Sequence, residues 1–129
     1  MIIYMIMLRN IFKVLYLTYI LVILIMYIKV PDGNWDSYKD IGNIFIRNLD
    51  HFILFFILGA LAMFISNRSN IFDNYVISAL IIGIYIEFIH LFLPYRGFEI
   101  IDLLFNITGC IFGLISLYYL RKKYGKIIN

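Results

Sequence analysis

Hydrophobic positions in this chain fall into four long runs separated by short polar segments. The first run, Val14 to Ile28, is free of charge and bracketed by Lys13 and Lys29. Lysines so placed can stretch back to the interface. Ile11 to Val30 therefore reaches the roughly 20 residues that a spanning helix needs. The second run, Phe52 to Ser66, is shorter and attains a span only with Leu49 to His51 added. The third, Tyr75 to Leu93, is interrupted by Glu87. The fourth, Ile100 to Leu120, is interrupted by Asp102 and Asn106. Pro31-Asp32-Gly33-Asn34, Asn67-Arg68-Ser69-Asn70 and Pro94-Tyr95-Arg96-Gly97 are turn-forming clusters that punctuate the runs. The pattern predicts an all-α integral membrane bundle of four transmembrane helices, at about 11–30, 49–66, 75–93 and 100–120, within one membrane domain covering 1–129.

Composition agrees with that pattern. Of 129 residues, 64% are hydrophobic and 15% charged, with a mean hydropathy of +0.93. A soluble domain is nearer half apolar and a quarter charged, and a chain this short has too little interior to hide the excess. Disordered proteins, nucleic-acid-binding domains and typical soluble enzymes are thereby excluded. The single cysteine, Cys110, rules out an internal disulfide and reads as a small packing residue. The first run has a basic start, but no small-residue pair follows it for cleavage, so it reads as an uncleaved anchor.

Charge changes the picture only by giving it a direction. Arg9, Lys13, Arg68, Arg121, Lys122, Lys123 and Lys126 fall on one side of a four-span arrangement. Lys29, Lys39, Arg47 and Arg96 fall on the other. The positive-inside rule then expects both termini in the cytoplasm. Pro31 to Asp50 becomes the one sizeable outer loop, with its Ile41 to Ile46 portion expected at the interface.

Ionisable groups inside a span are costly and usually face a bundle interior. Glu87 has Gly83 and His90 on its own helix face. Asp102, Asn106, Gly109 and Gly113 share a face of the fourth run, polar at one end and small at the other. Small residues at Gly83, Gly109 and Gly113 would let helices approach closely. With the third and fourth runs paired as an antiparallel hairpin, a polar cluster of His51, Glu87, His90, Arg96, Asp102 and Asn106 is expected in the outer third of the membrane. No metal and no cofactor is expected, because no tight ligand spacing such as H-E-x-x-H occurs and Glu87-x-x-His90 lacks its second copy. Ser66, Ser78 and Cys110 lie away from the histidines, which disfavours nucleophilic catalysis.

Glu87, Pro94, Arg96, Asp102, Asn106 and Gly109, in that spacing, resemble the signature of the VanZ-like family of small membrane proteins. The segment from Asp50 to Gly59 resembles the family's upstream histidine segment, and the likeness spans Leu49 to Gly113. His90 stands where the family pattern has glutamine, and Arg47 stands where it has an acidic residue before the histidine. The resemblance carries over His51, Glu87, Pro94, Arg96, Asp102, Asn106 and Gly109. It implies a multi-pass membrane domain in a family named for a protein associated with resistance to teicoplanin, a lipid-tailed glycopeptide.

Two functions compete. In the first, the protein acts at the cell envelope without catalysis. It binds or shields an amphiphile, either a lipid-linked cell-wall precursor or a lipoglycopeptide antibiotic, with Arg96 meeting a phosphate or carboxylate and Asp102 and Asn106 orienting it. In the second, it is a membrane enzyme modifying a lipid-linked envelope component. His51 or His90 is then the base and Glu87 or Asp102 the orienter or acid. Membrane lipids are partners in both, and nucleic acid in neither.

Overall fold

The computed structural model describes residues 2–28, 41–66, 73–94 and 97–124. They form four helices: α1 (Ile2–Ile28), α2 (Ile41–Ile65), α3 (Asn74–His90) and α4 (Ile100–Tyr124). There are no strands among the described residues. Met7–Ile28, Asn48–Ile65 and Ile100–Tyr124 are long and apolar enough to cross a bilayer, and α3 is a shorter apolar helix. The chain is a multi-pass, all-α membrane protein.

Cross-helix contacts fix the directions. Phe12 packs on Phe64, the Tyr19 hydroxyl donates to the Leu54 carbonyl, and Tyr27 lies against His51, so α1 and α2 are antiparallel. Tyr16 contacts Tyr75 and Ser78 while Tyr27 lies near His90, so α1 and α3 run the same way. His51 meets Asn106 at one end and Arg121 donates to the Met63 and Ser66 carbonyls at the other, so α2 and α4 are parallel. The topology is up-down-up-down, and α1 begins and α4 finishes at the same end of the bundle.

Local chemistry sets the helix ends. Asp73, extended at φ −62° and ψ 140°, caps α3 by accepting from the Tyr75 amide. Pro94 cannot continue a helix, and the turn before it tightens. Leu91, Phe92 and Leu93 donate to carbonyls three residues back, so α3 stops at His90 rather than running on to Leu93. Arg121 satisfies carbonyls that the C-terminus of α2 leaves open. Helix α2 starts at Ile41, earlier than its apolar run, because Gly42, Asn43, Arg47, Asn48 and Asp50 lower the hydropathy without breaking the helix.

Packing is tightest between α2 and α4. A Cβ on Gly109 would collide with the Phe52 carbonyl oxygen, and one on Gly113 with that of Phe56. Gly59 on α2 answers them, since a Cβ there would strike the Cys110 carbonyl oxygen. Lipid tails are as apolar as leucine, so such close backbone approach is a main source of helix association in a membrane. The core beneath this seam holds Phe55, Leu58, Ala62, Ile65, Ala79 and Ile86. Leu17, Leu21, Ile81, Tyr85, Phe112 and Tyr119 are exposed, as residues facing lipid should be.

Candidate functional site

Three helices bring polar side chains together at one end of the interior. On α2, buried positions recur at Asn48, His51, Phe55, Leu58, Ala62 and Ile65, a helical stripe that aims His51 inward. His51 is ten residues into α2, about 15 Å from its start, and not at a helix end. Helix α3 supplies Glu87 and His90 one turn apart, and α4 supplies Asp102 in its first turn with Asn106 one turn deeper. Glu87 and Asn106 are 0% exposed, His51 and His90 2% and Asp102 5%. The α4 N-terminus, where amide dipoles point their positive ends, favours a negative charge at Asp102.

Asn106 ties three helices together. Its Nδ2 donates to the Gly83 carbonyl of α3 at 3.2 Å. Its Oδ1 therefore faces His51 and accepts from Nδ1–H at 2.9 Å. A donor role for Nδ1 leaves Nε2 as the lone-pair nitrogen of the neutral ring. That nitrogen faces Asp102 Oδ2 at 3.5 Å. In the neutral ring two lone pairs face each other there, and in the protonated ring Nε2–H points at the carboxylate. Across the cluster, Glu87 Oε2 accepts from His90 Nδ1 at 3.2 Å. Glu87 Oε1 and His90 Nε2 are buried without a hydrogen-bond partner. One ligand-type atom from each of His51, Glu87 and Asp102 lies within 4.8 Å of the other two.

The structure thus places His51, Glu87, His90, Asp102 and Asn106 in one cluster. Arg96 lies outside the described residues. Gly83 packs against the Phe55 ring and the Asn106 Cβ, while Gly109 and Gly113 face α2. Two neighbours were not anticipated. The Tyr27 ring stands edge-on to His51, with centroids 4.7 Å apart. Asn48 is buried one turn before His51, with its Oδ1 unpartnered. Helical spacing from His51 would have found Asn48 once α2 was extended. Tyr27 gives no local signal, because its approach depends on how α1 docks.

Away from the cluster, an apolar cleft of about 480 Å³ opens between α3 and α4. Val76, Leu80, Ile81, Ile84, Ile111 and Ile115 line it, together with Tyr118 at the end near Arg121. Its other end is lined by Ile84, the next residue in sequence after Gly83, whose carbonyl accepts from Asn106.

Comparison with known proteins gives one family. The sequence profile described as VanZ/LLP1 matches residues 1–121, nearly the whole chain. No curated protein matches the chain, and no solved structure does.

Proposed function

This chain belongs to the VanZ/LLP1 family, and from that premise we propose that it binds or shields an amphiphile at the cell envelope without altering it. The supporting observation is the apolar cleft between α3 and α4, whose Ile84 end lies on the same half of α3 as Glu87 and His90. Along α3 it runs from Val76 to Ile84, about 12 Å, a length that suits a stretch of acyl or prenyl chain. A long tail in this cleft leads toward the end where Asp102 and Asn106 orient a polar head and Arg96 neutralises a phosphate or carboxylate. Lipid-linked cell-wall precursors and lipoglycopeptides share that chemistry, so glycopeptide resistance follows as a consequence of binding. The distribution of Lys and Arg supports an outer position for the cluster.

A second reading, a membrane enzyme acting on a lipid-linked envelope component, is favoured by His51. Its ring is oriented by Asn106 and faces Asp102, as a general base would be.

Mass spectrometry of lipids carried through purification separates the two. Ile81→Trp, which fills the cleft, should strip bound amphiphile several-fold while His51→Ala leaves its structure unaltered. Undiminished lipid in Ile81→Trp refutes binding in the cleft. A chemically altered lipid that disappears with His51→Ala favours the enzyme. For sidedness, Tyr95→Cys in a Cys110→Ser background should react with an impermeant thiol reagent on intact cells and Tyr124→Cys should not; the reverse pattern inverts the protein.

A further inference from the structure

We propose that His51, Glu87 and Asp102 form a three-ligand site for a divalent transition-metal ion of the zinc class. The inference does not depend on the amphiphile reading. It begins with the confrontation of His51 Nε2 and Asp102 Oδ2 across 3.5 Å. A direct charge-assisted hydrogen bond would draw them to about 2.8 Å. Two ligands each about 2.1 Å from a tetrahedral zinc are instead about 3.4 Å apart. The observed separation matches an edge of a coordination polyhedron.

A third donor lies close by. A Glu87 carboxylate oxygen joins the His51 and Asp102 atoms within 4.8 Å. Glu87 is fully buried, and its Oε1 has no hydrogen-bond partner. A buried carboxylate oxygen is not left bare without cost. Two carboxylates offset the charge of one divalent ion in a region where net charge is expensive.

The surroundings have the form of an outer shell. Metal-bound histidine almost always donates its other ring N–H to an oxygen that fixes the ring. Asn106 does this for His51 and is itself held by the Gly83 carbonyl. The second oxygen of Glu87 is held by His90 Nδ1. One imidazole and two carboxylates suit zinc or manganese, and three protein ligands leave room for a further one. The donors come from three different helices, so no local motif could announce them.

The test uses the full chain purified in lipid nanodiscs, stripped with EDTA, offered Zn2+ or Mn2+ in separate samples, desalted, and read by elemental mass spectrometry. Retention of either metal at about one ion per chain is expected for a single site. Glu87→Gln and Asp102→Asn should weaken retention at least tenfold, and Asn106→Ala by about 10- to 100-fold. Asp50→Asn, an exposed change beside His51, should leave it unaltered. Failure to retain either metal overturns the proposal, as does equal retention by Glu87→Gln and Asp102→Asn. Should those variants not fold, Co2+ in the unmodified chain decides. An intense visible band of low-coordinate cobalt supports the site, and the weak spectrum of hydrated cobalt refutes it.

Discussion

On the side facing α2, helix α4 sets backbone against backbone at Gly109 and Gly113. On the side facing α3 it leaves a cleft of about 480 Å³ walled by isoleucine, leucine and valine. Both contacts belong to one helix in one environment, so the difference lies in side-chain size. Where glycines meet carbonyls, dispersion contacts are dense and the separation is fixed. Where branched side chains meet, the helices stand apart and the space can be filled by a flexible chain. The bundle therefore combines a close-packed pair, α2 with α4, and a third helix that leaves a cleft along its apolar half.

Bulk added to the two sides should have unequal effects. Gly113→Val places branched carbon against the Phe56 carbonyl oxygen and the Ala60 amide nitrogen, neither of which can yield cheaply. We expect a loss of about 3 kcal/mol or more in reversible unfolding from detergent, or failure to fold. A near-native stability would show that the seam relaxes. Asn106→Ala removes a side chain that hydrogen-bonds to both neighbours of α4 and leaves His51 Nδ1 and the Gly83 carbonyl buried. Its cost should be about 2 kcal/mol by the same measurement. A negligible change would mean that α3 is positioned by packing alone. Ile115→Phe adds volume on the cleft side, where the residue is half exposed, and should stay within about 0.5 kcal/mol of the parent. A cost like that of Gly113→Val would erase the contrast between the two faces.

Much of this arrangement was legible in the sequence, and the exceptions share a physical cause. The four helices follow from apolar run length, and the α4 face carrying Asp102, Asn106, Gly109 and Gly113 follows from helical spacing. Both are local properties. The partner of that face is not local. Chain adjacency pairs the third and fourth runs, and Asn106 does reach Gly83, but Gly109 and Gly113 are taken by α2 because Gly59 there offers a matching gap. The start of α2 was hidden for another reason. Hydropathy registers apolar content, and Ile41 to Asp50 mixes isoleucine and phenylalanine with asparagine, arginine and aspartate. His51 consequently looked terminal when it lies well inside its helix. The cluster members were identifiable by type and depth, whereas their mutual orientation, with Asn106 fixing the His51 ring, required the fold.

Helix α3 has 17 residues, beside neighbours of 25 and 27. It is about 25 Å long, against a hydrocarbon core of about 30 Å. Such hydrophobic mismatch is relieved when the adjacent lipids shorten or the headgroups dip inward, at a modest cost per ångström. Beside α3 a bilayer would therefore be pinched toward the protein. Glu87 and His90 occupy the last turn of that short helix, so the pinch brings the aqueous boundary closer to the polar cluster than a flat membrane would.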